Sequence, residues 1–207
     1  MTRFITFIIS LILNIYKHWV DILTAIGNIK VFKTPCFILY DPSEYDYSIR
    51  GTAIRQINNL LQPGDICLRS YKHYLDGFLI PGKYSHSGIY IGDNKVVHAV
   101  AEGVKEIDVI DFFQCDNACI IRPLKHGKDA ANLAKLYIGK KYDFSFNTKD
   151  SSEFYCHELT AKCFLPFIKN IKTYTPTFLG IKLKCLAKRY LADSFLNNKN
   201  FDILIEL

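Results

Sequence analysis

The residues best able to do chemistry together are His86, His98 and Cys156. The two histidines stand twelve residues apart in KYSHSGIYIGDNKVVHAV, either side of an apolar, β-branched run broken by Asp93-Asn94. That pattern predicts a β-hairpin. Side chains alternate along a strand, so the loop decides whether the rings can meet. A two-residue loop pairs position 89 with 98 and sends the histidines to opposite faces. A three-residue loop, Gly92-Asp93-Asn94, pairs 88 with 98 and makes them diagonal neighbours. Gly92 then supplies a positive φ and Gly88 leaves space for the His98 ring. A histidine on a strand is commonly a surface or hydrogen-bonded residue, so the pair needs a third group before it means catalysis.

Cys156 is that group. In SSEFYCHELTAKCF it follows a polar stretch and opens an apolar-periodic segment, which places it at a helix N-terminus. Unpaired N–H groups and the positive end of the helix dipole lower a thiol's pKa there, and a neighbouring imidazole lowers it further. Together these make a cysteine nucleophile. The competing reading is a buried structural thiol. His157 is adjacent but points elsewhere on a helix and is not assigned to the site. Cys163, two turns deeper, reads as core, as do Cys36, Cys67 and Cys185. Cys115 and Cys119 are four apart, but neither a second pair nor a histidine spacing completes a zinc site. Seven cysteines, an odd number irregularly spaced, suit reduced buried thiols better than a disulfide framework.

The elements around these residues read as α+β. Pro63-Gly64-Asp65 is a turn before a strand at 66–70. The hairpin follows, then VKEIDVIDFF as strand and turn, and ACIIRPL as a strand stopped by Pro123. DAANLAKLYIGK and FYCHELTAKCFLPFI have helical spacing, KLKCLAKRYLADSFL reads as a third helix, and FDILIEL as a short strand or tail. At the N-terminus, FITFIISLILNIY (4–16) is apolar but too short to span a bilayer. With WVDILTAIGNI it predicts an interfacial or docked helix, a signal peptide or membrane anchor being the other readings. This divides the chain into an apolar helical segment (1–33), a connector (34–59) and a catalytic domain (60–207). Apolar residues make up 49% of 207, enough for a full core and incompatible with disorder. The net charge of +6 suits a weak attraction to anionic surfaces. No basic-aromatic interleaving points to nucleic acid.

Four blocks, GDICLRS, YSHSGIYIGDNKVVHA, YIGKKYDFSF and FYCHEL, together resemble the YiiX/YaeF-like branch of the NlpC-like cysteine amidases. The resemblance spans about residues 60–165. These enzymes have a circularly permuted papain-like fold, related to the lecithin:retinol acyltransferases, in which histidine and polar residue precede the cysteine, as here. The resemblance implies an antiparallel sheet packed against helices, here with an added N-terminal helix. It implies Cys156 as nucleophile, His86 as general base and His98 as the residue orienting the base. Some relatives carry Glu at that last position, and Glu102 is the alternative orienter if the register shifts. Tyr142, Asp143 and Phe144 match the segment leading to the nucleophile helix and are expected in the pocket wall, with Tyr84 and Asp65 as further pocket residues.

The implied activity is cysteine-dependent hydrolysis of an amide or ester in an acyl-lipid, N-acyl amino acid or peptide, through an acyl-enzyme. No metal or cofactor is expected. The alternatives are an acyltransferase of the retinol-acyltransferase type and a non-catalytic lipid- or peptide-binding module. Expected partners are the acylated substrate and a membrane surface engaged by the N-terminal segment, not nucleic acid. The expected location is the cytoplasm or a membrane face, with export as the remaining option.

Overall fold

The computed structural model describes residues 18–19, 21–22, 25–26, 28–33, 36–40, 47–74, 80, 82–146, 152–175, 177–178, 181–182 and 188–207. The apolar stretch 4–16 lies outside them. No helix among the described residues is long and apolar enough to cross a membrane. The chain divides into two compact units, one of residues 1–44 and 73–76, the other of 45–72 and 77–207.

In the first unit, β1 (Ile29–Lys33) and β2 (Cys36–Tyr40) form an antiparallel hairpin. Val31 N–H donates to the His73 carbonyl at 2.7 Å, and the Lys30 ammonium lies 5.0 Å over the Tyr74 ring. The sequence predicts a helical segment through 33 and a connector from 34; residues 29–33 and 36–40 are instead strands. The β-branched and aromatic residues of IKVFK and CFILY satisfy their backbone groups by pairing with each other.

In the second unit, α1 (Gly51–Leu60) precedes β3 (Ile66–Ser70), β4 (His86–Gly92), β5 (Lys95–Val100) and β6 (Gly103–Asp108). The short α2 (Val109–Phe112), β7 (Asn117–Pro123), α3 (Gly127–Leu136) and α4 (Cys156–Phe164) follow. The two-residue strands β8 (Thr177–Phe178) and β9 (Ile181–Lys182) pair with each other. The unit ends in α5 (Asp193–Leu196) and β10 (Phe201–Glu206). Six strands form one antiparallel sheet in the order β10-β7-β3-β4-β5-β6. This is the α+β, antiparallel architecture expected from the sequence. The expected third helix over KLKCLAKRYLADSFL is absent from its described part: β9 occupies 181–182, and only 193–196 coil into a helix.

Alternation gives the sheet two apolar faces. Ile66, Leu68, Ile89, Val97 and Ile121 meet α3 and α4 through Ala130, Leu159 and Phe164. Cys67, Tyr90, Val96 and Ile120 meet Ile57 of α1 and Phe112 of α2. The site is built at β4, between these two layers.

Candidate active site

The register of β4 and β5 decides whether the histidines meet. Gly88 pairs with His98, the register required for His86 and His98 to share a face, but the turn reaches it by another route. Asp93 and Asn94 form a two-residue turn with φ of 52° and 56°, closed by Gly92 opposite Lys95. A bulge at Ile91 inserts one extra residue into β4, between the pairs Tyr90–Val96 and Gly92–Lys95. Turn and bulge together do the work of the three-residue loop. Gly88 is essential for a different reason from the one expected. A Cβ there would come 2.6 Å from Val96 Cγ1 and 3.1 Å from Phe112 Cε2, so the space is filled by Val96 and Phe112 rather than by the His98 ring.

His86 Nε2 and His98 Nδ1 are 3.0 Å apart, with the rings nearly perpendicular and their centroids 5.2 Å apart. The Phe112 ring packs against both imidazoles at 5.8 Å. Arg69, directly across from His86 on β3, was not singled out from the sequence. Its guanidinium lies 4.6 Å over the Phe112 ring and donates to the Phe112 carbonyl at 2.7 Å. Burial, then the Arg69 charge, hold His86 well below the ordinary histidine range and His98 down at about 3. Both rings are therefore neutral at physiological pH. Arg69 lies within the GDICLRS block, but nothing in that block ties it to the histidines; strand pairing brings residue 69 beside residue 86.

Cys156 opens α4 behind Tyr155, which caps the helix without a side-chain bond and leaves the first-turn N–H groups available. Cys156 is 4% exposed, and its thiol lies 3.9 Å from the Ser85 carbonyl. Burial raises the thiol to about 11, opposed by the backbone N–H groups of Ser87, His157 and Cys156 itself and by Arg69. Cys67, Cys115, Cys119, Cys156 and Cys163 are all free and buried. Cys156 is raised least among those with comparable values: Cys115 and Cys119 reach about 12, because their burial is less opposed. The expected lowered thiol is thus corrected to a neutral resting one, since desolvation outweighs the helix terminus. The thiol sits against the backbone on both sides of His86, and it makes no hydrogen bond to the imidazole in this resting arrangement. Such contacts commonly tighten only when substrate is bound.

The remaining candidates divide. Glu102 is corrected: its carboxylate is exposed and pairs with Lys105 at 3.0 Å, because the register places His98 and not residue 102 against His86. Asp65 is also corrected. It is 1% exposed and takes a two-pronged ion pair from Arg122, at 2.9 and 2.7 Å, which staples β3 to β7. The Tyr84 hydroxyl donates to Glu206 at 3.2 Å, so its side chain anchors β10 rather than lining a pocket. Tyr142 stands near the thiol, whose charge adds to burial in raising its hydroxyl. Asp143 accepts from the Ser145 N–H and hydroxyl at 2.7 and 2.6 Å, and Phe144 packs on Tyr142 at 4.8 Å. His157, set aside in the sequence, is buried with Nδ1 2.9 Å from Ser87 Oγ, between α4 and β4. Among the described residues, no group of three or more His, Cys, Asp and Glu side chains is arranged to hold a metal ion.

Comparison with known proteins identifies the family and the fold. Residues 60–184, more than half the chain, match the model of the permuted papain-like amidase enzymes, the YaeF/YiiX C92 family. The chain belongs to this family. Its fold is shared with the crystal structure of the metalloprotein YiiX from Escherichia coli O157:H7. The two superpose with a TM-score of 0.58 at 18% identity, over 70% of this chain and 97% of the other. No curated protein matches the chain.

Proposed function

We propose, on the premise of membership in the permuted papain-like amidase family, that this chain is a thiol hydrolase of acyl amides with Cys156 as nucleophile. The observation that carries the proposal is the His86–His98 contact of 3.0 Å beside a thiol at a helix start. Because His86 Nε2 is engaged by His98, its free nitrogen is Nδ1, the one nearer the main chain. The thiol packs against that same stretch of main chain. For Nδ1 to accept a proton, His86 carries its hydrogen on Nε2 and donates it to His98 Nδ1. His98 then holds its own proton on Nε2, which is buried and has no partner among the described residues.

The chemistry follows from these tautomers. As Sγ forms its bond to the acyl carbon, the Cys156 proton passes to His86 Nδ1 and the carbonyl electrons move onto oxygen. The N–H groups at the start of α4 face that developing charge. The imidazolium then protonates the leaving amine as the C–N bond breaks. Water attacks the thioester and returns the thiol. A neutral thiol and a neutral base make proton transfer concerted with attack, rather than relying on a preformed ion pair. The metal in the description of the E. coli protein has no matching donor set among the described residues, so no step is routed through one.

The apolar segment 4–16 and the net charge of +6 support a substrate whose acyl chain is presented at a membrane surface, an acyl-lipid or N-acyl amino acid before a soluble peptide. The test is intact-mass labelling with an acyl-type thiol electrophile near neutral pH, followed by a screen of acyl amides and esters. Single labelling lost in Cys156→Ala and weakened in His86→Ala supports the proposal. Slow labelling spread over several cysteines, indifferent to His86→Ala, overturns it in favour of a binding module.

A further inference from the structure

The residue after the base and the residue after the nucleophile touch each other. On β4, Ser87 points away from the face that His86 takes, toward α4. There its hydroxyl lies 2.9 Å from His157 Nδ1 and 2.9 Å from Thr160 Oγ1. Thr160 in turn donates to the carbonyl of Cys156 at 3.2 Å. Ser87 and Thr160 have no exposure and His157 has 1%. These contacts join positions 70 and 73 residues apart in sequence, and none of the three belongs to the proposed reacting set.

Hydrogen-bond bookkeeping gives the cluster a direction. A carbonyl only accepts, so the Thr160 proton goes to Cys156 O. The contact between Ser87 and Thr160 then needs the Ser87 proton. Ser87 Oγ, its proton committed, accepts from His157 Nδ1–H. His157 is thereby the Nδ1–H tautomer, with a bare lone pair on Nε2. That nitrogen is buried and makes no hydrogen bond of ordinary geometry among the described residues, although the Tyr84 carbonyl lies close enough to act on the ring.

We infer that His157, Ser87 and Thr160 form a positioning relay, running His157 to Ser87 to Thr160 to the Cys156 carbonyl, that holds the nucleophile turn of α4 against the strand carrying His86. This inference rests on the catalytic reading for its purpose, but the relay itself is testable without it. The three are positioning residues, acting through Cys156 and His86. Because buried hydroxyls and an imidazole bond only at set angles, the relay defines the rotation of α4 about its axis more sharply than the apolar contacts of Leu159 and Phe164.

Nitrogen-15 NMR of the imidazoles in the full chain reads the relay directly. The expected result is an Nδ1–H tautomer for His157 that is lost in Ser87→Ala. An Nε2–H tautomer, donating to the Tyr84 carbonyl, would reverse the relay and overturn the inference. Amide exchange of residues 156–160 is expected to speed up in Ser87→Ala and in His157→Phe. It is expected to return toward wild type in His157→Asn, whose amide N–H takes the place of Nδ1–H. Unchanged exchange in Ser87→Ala overturns the inference.

Turnover of the acyl amide found by screening supplies the functional arm. Ser87→Ala is expected to lower kcat by on the order of 10²-fold with KM little changed, as misplacement of reacting groups does. His157→Phe is expected to lower kcat comparably, and His157→Asn to keep most of the wild-type rate. Equal rates in wild type and Ser87→Ala would overturn the positioning role. If the catalytic reading itself fails, labelling is indifferent to His86→Ala while the tautomer and exchange changes persist, so the two failures are distinct.

Discussion

The two faces of β4 solve opposite problems within one strand. On one face, His86 and His98 bond to each other and lie under Phe112 and the Arg69 guanidinium, with His86 only partly buried. On the other, Ser87, His157 and Thr160 are buried and bonded to one another, and the Cys156 carbonyl completes the set. Burial alone lowers His157, to about 4. His86 and His98 are lowered by burial and by a cation as well. A buried polar group is stable where every hydrogen has an acceptor, whereas a reacting group must keep one nitrogen uncommitted. The strand's period of two puts these two requirements one residue apart without mixing them.

The comparison breaks most visibly at the dyad. His86→Ala is expected to lower acyl-amide turnover by roughly 10²–10⁴-fold, the usual worth of a general base, and to cost about 1–3 kcal/mol of stability by leaving His98 Nδ1 buried without its donor. Turnover kinetics and calorimetry on one sample check both halves. Gly88→Ala should act on stability. Its Cβ would press on Val96 at 2.6 Å and on the Val97 carbonyl at 2.9 Å, and overpacking of this kind costs about 1–3 kcal/mol by denaturant titration. Thr160→Val, on the other face, removes a buried hydroxyl while keeping its volume. It leaves the Ser87 hydroxyl proton without its acceptor and is expected to cost about 1–3 kcal/mol in the same titration.

A titration sharpens the contrast between the faces. Lowered folded-state values mean that the unfolded chain binds protons first as pH falls. Stability from His98 and His157 is therefore fully present above 6.5 and is lost as pH drops toward their folded values of about 3 and 4. The urea midpoint should fall across that window. Arg69→Met should raise the NMR-observed titration of His86 and His98 and leave His157 in place, because the Arg69 charge acts on the first two only. Equal movement of all three would show that one electrostatic environment covers both faces. The smallest effect belongs to Glu102→Ala. Its exposed pair with Lys105 predicts a change within about 0.5 kcal/mol and unaltered turnover.

Much of this arrangement was written locally. Alternating β-branched residues on either side of Asp93-Asn94 specified the hairpin, and the apolar period after Tyr155 specified a helix opening at Cys156. Both depend on neighbours close in sequence, which is why they could be read from it. The KLKCLAKRYLADSFL segment shows the limit, since among its described residues Lys182 pairs in β9 and only 193–196 are helical. The register of the histidines shows it again. The sequence offered odd and even loops, and the bulge at Ile91, set by how β4 packs between β3 and β5, decided between them.

Residues 69, 112 and 157 acquired their places only through the tertiary structure, because no local period links them to 86, 98 or 156. Arg69 reaches His86 by strand pairing, Phe112 reaches both rings because Gly88 lacks a Cβ, and His157 reaches Ser87 because α4 packs on β4. The charge state of Cys156 belongs to the same class. A helix start argues for a lowered thiol, and burial, a property of the assembled fold, raises it to about 11. The sequence by itself determined which groups could react and on which elements they lie. Packing determined which atoms meet and in what protonation state, because desolvation and long-range contact exist only once the sheet has its helices on both faces.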